Sequence, residues 1–185
     1  EREQGITIDV AYRYLDTETR KFILLDTPGH EQFTRNMITG ASNAELAIIL
    51  IDSQKGILTQ TRRHTYLCHL MGIKNFILAV NKIDLVKYNQ EKFNKIKEEY
   101  KIFAERIGIS MLKVIPISSL KGDNVFNLSK NTPWFNELSL MDYLKAIQVG
   151  NKDKQLHTFC MPVQWVNRPN LDFRGFSGRV LVGTI

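Results

Sequence analysis

Short apolar segments of strand length alternate with longer amphipathic segments along most of this 185-residue chain. The apolar segments predict five strands, near residues 10–15, 21–25, 46–51, 76–80 and 112–117. The amphipathic segments predict four helices, near residues 32–40, 61–71, 90–107 and 139–148. Strands that alternate with helices form a mostly parallel sheet, because the helices that connect them pack onto its two faces. The sequence therefore predicts an α/β fold for residues 1–150.

The chain changes character after residue 150. Residues 151–156 form a polar linker, and two strands are predicted beyond it, over 159–165 and 178–185. No helix is predicted between these two strands, which is typical of an all-β unit. We therefore expect residues 157–185 to be the truncated start of a β-barrel domain.

A group of polar residues follows the apolar segment 21–25. Asp26 is expected at the carboxyl end of a buried strand, where open α/β sheets bind ligands, and its carboxylate can hold Mg²⁺. Gly29 lets the backbone approach a terminal phosphate and donate its N–H. Beside that phosphate, the imidazole of His30 could orient an attacking water. The whole candidate segment is Asp26, Thr27, Pro28, Gly29 and His30.

Asn81-Lys82-Ile83-Asp84 follows the apolar segment 76–80 and resembles the NKxD signature with which GTPases read guanine. The resemblance implies that Asp84 accepts hydrogen bonds from N1–H and the amino group of guanine, which adenine cannot offer. An unpaired buried acceptor costs about 1–3 kcal/mol, so guanine is preferred. The aliphatic stem of Lys82 would lie over the base. A third apolar segment, 114–117, ends in residues that resemble the loop closing over the base, Ser118, Ser119 and Leu120.

The beginning of the chain resembles switch I of the translation-factor GTPases, in residues Gly5, Ile6, Thr7, Ile8 and Asp9. The resemblance implies that Thr7 binds Mg²⁺ and senses the γ-phosphate, and that Ile6 forms half of an apolar gate beside His30. Each segment alone would be a plausible turn or helix start. Together, and in this order, they predict a GTPase domain over 1–150 that uses GTP and Mg²⁺, with Thr7 and Asp26 as metal ligands and His30 as the catalytic residue.

No G-x-x-x-x-G-K-[ST] sequence occurs in the 185 residues. That motif forms the loop whose backbone amides and lysine hold the phosphates. Because the chain opens inside switch I, we expect a fragment whose phosphate loop lies upstream. We expect this fragment alone to be inactive and to bind GTP weakly, since most phosphate and Mg²⁺ contacts would be lost. A degenerate scaffold that does not hydrolyse GTP is the alternative.

The formal net charge of +6 and the pI near 9.3 raise the question of nucleic-acid binding. The lysines between 87 and 101 are interspersed with glutamates, as on the solvated face of a helix, so we expect no nucleic-acid partner. No apolar segment approaches the roughly 18 residues that indicate a membrane span, and no signal peptide is visible. We expect a cytoplasmic protein without a membrane partner.

Further segments narrow the resemblance within the translation-factor superfamily. Residues 60–64 (QTRRH), 122–125 (GDNV) and above all 166–175 (VNRPNLDFRG) are similar to the GTPase subunits of bacterial sulfate adenylyltransferases. Elongation factors carry a different sequence at the last of these. The resemblance implies a subunit that couples GTP hydrolysis to the formation of adenosine 5′-phosphosulfate and diphosphate from ATP and sulfate. It also implies a separate catalytic subunit as partner, in a heterodimer.

Two questions stay open at this level. Segment 167–175 is either a partner-facing or interdomain loop that uses Asn167, Arg168 and Arg174, or a strand connection with an arginine paired to a nearby carboxylate. The rival functions are an elongation-factor-like GTPase that delivers aminoacyl-tRNA and a GTPase fused to adenylylsulfate kinase. The fusion would need a further phosphate loop after Ile185.

Overall fold

The computed structural model describes residues 7–149 and 158–183. The chain divides into two compact units, Glu1–Val149 and Gly150–Ile185. Gly5 and Ile6 of the switch I segment and the linker 151–156 lie outside the described residues. In the part that is described, no helix is long and apolar enough to cross a membrane.

The first unit has the predicted α/β character, and each predicted strand and helix has a counterpart in it. Its strands are β1 (Ala11–Asp16), β2 (Lys21–Asp26), β3 (Leu46–Asp52), β4 (Asn75–Asn81) and β5 (Met111–Pro116). Its helices are α1 (Thr34–Ala41), α2 (Thr59–Leu70), α3 (Gln90–Arg106) and α4 (Leu140–Ala146). Two single 3-10 turns, Glu31–Phe33 and Ile83–Val86, follow β2 and β4.

Strands β3, β4 and β5 form a parallel sheet in that order. The central strand β4 has five consecutive buried residues, 76–80, as a parallel strand covered on both faces should. In the register of the sheet, Asp52 lies beside Asn81 and Val80 lies beside Pro116. The carboxyl ends of β3 and β4 therefore meet at one edge of the sheet.

Helices cover both faces of this sheet, as the sequence predicts. One apolar core combines alternate β4 residues with helices α1, α2 and α3, through Phe76, Leu78, Val80, Met37, Cys68, Phe93, Ile96 and Tyr100. The other core combines the remaining β4 residues with β5 and α4, through Ile77, Ala79, Ile115, Met141 and Leu144. Full burial of one such aliphatic side chain contributes about 1.5–3 kcal/mol, so these two cores hold the sheet in place.

Two helices begin at capping side chains. Asn89 Oδ1 accepts a hydrogen bond from the backbone N–H of Lys92 at 2.7 Å, at the start of α3. Ser139 Oγ accepts one from the backbone N–H of Asp142 at 3.2 Å, at the start of α4. Caps of this kind contribute about 0.5–2 kcal/mol.

Strands β1 and β2 form a separate antiparallel pair, and the prediction that β2 is a buried strand is wrong. Ile23 is 59% exposed and Leu24 is 38% exposed. The reason is that β2 pairs only with β1 among the described residues, so the second edge of this two-stranded ribbon has no neighbour. The pair is tied to α4 by the Arg20 guanidinium, which donates to the carbonyls of Leu144 at 2.8 Å and Ile147 at 2.6 Å.

The second unit contains an antiparallel hairpin of β6 (Trp165–Asn167) and β7 (Gly175–Ser177). The predicted strand bounds, 159–165 and 178–185, are wrong for the residues that the structure describes. Within residues 158–183, the pairing outside the two hairpin strands is an isolated bridge between Cys160 and Val182. Asn170 stabilises the turn between β6 and β7, because its Oδ1 accepts hydrogen bonds from the backbone N–H groups of Asp172 and Phe173 at 3.1 and 2.9 Å. The position of this turn determines where the two strands of the hairpin lie in the sequence. A β-barrel domain remains a prediction.

The two cysteines are free and differ in environment, Cys68 being buried on α2 and Cys160 exposed. Burial raises the pKa of the Cys68 thiol to about 11, so almost no thiolate is present at pH 8. We expect iodoacetamide at pH 8 to alkylate Cys160 and spare Cys68 in the native protein, and to alkylate both in denaturant. Peptide mass spectrometry measures this, and rapid native labelling of Cys68 would contradict its burial.

Candidate functional site

The Asn81–Asp84 segment leaves the carboxyl end of β4 through an unusual backbone conformation. Lys82 has φ 60° and ψ 34°, the left-handed region, which costs a residue with a Cβ about 1–2 kcal/mol. Its backbone N–H donates to Asn81 Oδ1 at 2.8 Å, and its carbonyl accepts from Ser53 Oγ at 2.8 Å. Its Nζ donates to Asp52 Oδ2 at 2.9 Å. These bonds hold the segment in one conformation.

Asp84 carries an almost buried carboxylate. Its side chain is 6% exposed, and Lys121 Nζ lies 4.0 Å from Oδ2. In the part of the chain that the structure describes, no group donates a hydrogen bond to this carboxylate. The neighbouring Ile83 is fully buried and donates its N–H to the carbonyl of Ile117 at 3.2 Å. A ligand with two adjacent N–H groups would supply what Asp84 lacks.

The structure brings the segment Ser118–Leu120 next to Asn81. The backbone N–H of Ser119 donates to Asn81 Oδ1 at 3.0 Å, so this oxygen accepts from both segments. Ser118 is buried, whereas Leu120 is 90% exposed. The buried Asn124 supports the loop from behind by donating to the carbonyl of Pro116 at 2.8 Å. We call residues 81–84 and 118–120 the base-side residues, because the sequence predicts that they contact guanine.

The segment Asp26–His30 continues from β2 into the first 3-10 turn. Pro28 is buried, whereas Asp26, Gly29 and His30 are exposed. The His30 imidazole lies at the start of the turn, where Nδ1 accepts a long hydrogen bond of 3.4 Å from the backbone N–H of Gln32. The exposed ring is therefore accessible to a ligand placed beside Gly29.

Helix α1 contacts both the described part of switch I and the segment after β2. Asn36 Nδ2 donates to the carbonyl of Ile8 at 2.8 Å. A Cβ at Gly40 would lie 2.6 Å from Thr27 Cγ2, so glycine permits this close approach. Asp9 is exposed, and its Oδ1 accepts from the backbone N–H of Val10 at 2.7 Å. We call residues 7–9 and 26–30 the phosphate-side residues.

The two groups differ in how they are joined. Several hydrogen bonds link the base-side residues to one another, and the phosphate-side residues meet around α1. Apart from Ile8, no residue of one group makes a hydrogen bond or an ion pair with the other group within residues 7–149. The sequence motifs did not predict a role for three further residues that contact the base-side residues, namely Asp52, Ser53 and Lys121. One signal could have found Asp52, because it follows the apolar segment 46–51 just as Asp26 follows 21–25.

The first unit matches a known protein family. The family model described as the elongation factor Tu GTP binding domain matches residues 1–148. The chain belongs to this family. The match covers almost the whole first unit. It includes the switch I, DTPGH and NKID segments, from which the sequence analysis predicts a GTPase domain.

The similarity to sulfate adenylyltransferase subunits is also found. Sulfate adenylyltransferase subunit 1 of Pseudoalteromonas atlantica is 57% identical over 185 residues, and that of Bacteroides thetaiotaomicron is 58% identical. A protein of Rhodopirellula baltica named bifunctional enzyme CysN/CysC is 55% identical over 187 residues. All three alignments cover 100% of this chain, which spans 39%, 38% and 29% of the respective relatives.

Solved structures with a similar fold include two translation elongation factors. A bacterial selenocysteine-specific elongation factor, EF-Sec, has a TM-score of 0.66 and 25% identity, covering 98% of this chain and 29% of its own. Elongation factor SelB of Methanococcus maripaludis, in complex with the GTP analogue GPPNHP, has a TM-score of 0.67. The SelB structure is 22% identical and covers 96% of this chain and 36% of its own. At this identity the similarity to SelB shows the fold alone.

Proposed function

We propose that this chain is the nucleotide-binding part of the GTP-hydrolysing subunit of a sulfate adenylyltransferase. Its role is to couple GTP hydrolysis to the reaction ATP + sulfate = adenosine 5′-phosphosulfate + diphosphate in sulfate assimilation. The observation that carries the proposal is 57–58% identity over the whole chain to proteins named subunit 1 of this enzyme. The structural neighbours that are elongation factors have lower identity, 22–25%, and so favour the translational alternative less.

The base-side residues are proposed to select guanine. The almost buried Asp84 carboxylate accepts from N1–H and the amino group of the base, and Ile83 holds the segment against Ile117. Asn81 Oδ1 is occupied by two backbone N–H groups, which leaves its Nδ2 to donate to the base. The Lys82 stem lies over the ring, and residues 118–120 close over it.

The phosphate-side residues are proposed to hold the triphosphate end and Mg²⁺. Thr7 and Asp26 offer a hydroxyl and a carboxylate oxygen, which are ligands that Mg²⁺ accepts alongside phosphate oxygens. Mg²⁺ held by these residues would neutralise charge that develops on the phosphate oxygens. Gly29 offers its backbone N–H to the γ-phosphate, and His30 orients the water for attack. Switch I and the segment after His30 order around the γ-phosphate and relax when it is lost, which communicates the nucleotide state.

The partner in this proposal is a separate catalytic subunit that holds ATP, in a cytoplasmic heterodimer. The names of the relatives support it, since a protein called subunit 1 has at least one other subunit. The hairpin loop around Arg168 and Arg174 is the proposed contact or interdomain loop. In residues 158–183, neither arginine makes an ion pair, so the alternative with a local carboxylate partner lacks support there.

The test uses the full-length protein with its catalytic subunit. Diphosphate released from ATP is measured with and without sulfate, and with GTP, GDP or no guanine nucleotide. We expect release that requires sulfate and is stimulated by GTP but not by GDP. GTP hydrolysis that is indifferent to sulfate and to the catalytic subunit would contradict the proposal and favour a translational GTPase.

A second candidate is a GTPase joined to adenylylsulfate kinase. The relative of Rhodopirellula baltica favours it, because that protein is named a bifunctional enzyme. ATP-dependent consumption of adenosine 5′-phosphosulfate by the full-length protein alone would support this candidate. Accumulation of adenosine 5′-phosphosulfate in the presence of excess ATP would exclude it.

A further inference from the structure

Asp52 and Ser53 end strand β3 directly beside the base-side residues. Strands β3 and β4 are parallel, with Asp52 opposite Asn81, so side chains at the end of β3 reach the segment that follows β4. Ser53 is completely buried, and the Asp52 side chain is 17% exposed. Neither residue belongs to the motif that reads guanine.

The Asp52 carboxylate is held on both of its oxygens. Oδ1 accepts from the backbone N–H of Gln54 at 2.8 Å, and Oδ2 accepts from Lys82 Nζ at 2.9 Å. The hydrogen bond from Lys82 holds the pKa of Asp52 below its ordinary value, against the opposing effect of burial. The carboxylate is therefore charged at neutral pH and attracts the Lys82 ammonium.

Lys82 transmits this contact to the residues on both sides of it. Its left-handed backbone determines the directions in which Asn81 and Asp84 leave the end of β4. Because Asn81 Oδ1 accepts from the backbone N–H groups of both Lys82 and Ser119, a movement of Lys82 would also disturb the loop at 118–120.

We propose that Asp52 is a positioning residue for guanine recognition. It holds Lys82 by its ammonium and thereby fixes the orientation of Asn81 and Asp84, while it does not itself touch the nucleotide. Ser53 is the second anchor, through its hydrogen bond to the Lys82 carbonyl. This inference rests on the proposed function, since it specifies how the same site distinguishes guanine nucleotides.

Loss of a positioning residue should change the preference between two related nucleotides, whereas a general loss of stability should not. GTP offers Asp84 two donors, N1–H and the 2-amino group, whereas ITP lacks the amino group and offers only N1–H. A misplaced Asp84 loses more with the ligand that makes two hydrogen bonds to it. The preference for GTP over ITP should therefore fall, whereas a destabilised protein would lose affinity for both nucleotides alike.

The experiment measures dissociation constants of GTP and ITP by calorimetry, using the full-length protein with its partner subunit. For Asp52→Asn we expect GTP to bind about tenfold more weakly and ITP less than about threefold more weakly. Asp16→Asn is the matched control, because Asp16 is an exposed carboxylate at a strand end that pairs with Lys21 at 3.9 Å. It should leave both constants unchanged.

Two results would overturn the proposal in distinguishable ways. If the wild-type protein prefers GTP and Asp52→Asn keeps the same GTP-to-ITP ratio, the positioning role is wrong and the proposed function stands. If the wild-type protein shows no preference for GTP over ITP, both are wrong. If Asp52→Asn does not fold, Ser53→Ala provides the same test, because it removes the other hydrogen bond that anchors Lys82. The preference for GTP over ITP should again fall.

Discussion

Replacing His30 by alanine is expected to reduce the rate of GTP hydrolysis by about 100-fold or more, while GTP affinity changes less than about threefold. The imidazole lies exposed at the start of a 3-10 turn, directly after Gly29. In the proposed site it orients the attacking water and makes no contact with the phosphates. Its removal therefore affects the transition state and spares ground-state binding.

Single-turnover hydrolysis and equilibrium GTP binding, both on the full-length protein, separate these two effects. His30→Gln should retain more activity than His30→Ala, because an amide can also orient water, as glutamine does in other GTPases. His69→Ala is the control, since His69 lies in the last turn of α2 and belongs to neither group of site residues. Unchanged turnover in His30→Ala would remove His30 from the mechanism.

Replacing Asp84 by asparagine is expected to weaken GTP binding by about 100-fold and to improve binding of XTP. Each hydrogen bond to a charged acceptor contributes about 1.5–3 kcal/mol, and guanine makes two to this carboxylate in the proposed site. The side chain is only 6% exposed, so water cannot easily replace the lost bonds. The new amide presents a donor where guanine also donates, whereas xanthine has a carbonyl there.

Dissociation constants of GTP and XTP for the wild-type protein and Asp84→Asn give the change in base preference directly. Asp16→Asn again serves as a control for the loss of one carboxylate. Lys121 has little influence on the result, because its Nζ lies 4.0 Å from Asp84 and its side chain is 55% exposed. An unaltered preference for guanine in Asp84→Asn would place the guanine pocket elsewhere.

Local patterns were sufficient for the α/β layout and for the candidate motifs. The apolar segment 76–80 predicts a strand, and β4 is buried because a parallel strand with helices on both faces needs apolar residues throughout. The NKID segment could be read without knowledge of the fold, since its order of side chains is distinctive. The start of α4 is also local, because the cap at Ser139 depends only on residues three positions apart.

Contacts between distant residues set the features that the local patterns did not reveal. The apolar segments 21–25 and 76–80 look alike, but β2 pairs only with β1 among the described residues and stays largely exposed. The contact of Asp52 with Lys82 joins residues 30 positions apart and exists because β3 and β4 pair in parallel with Asp52 beside Asn81. Apolar periodicity and motif chemistry depend on neighbours along the chain, whereas burial and the meeting of polar side chains depend on which strands pair, and in which register.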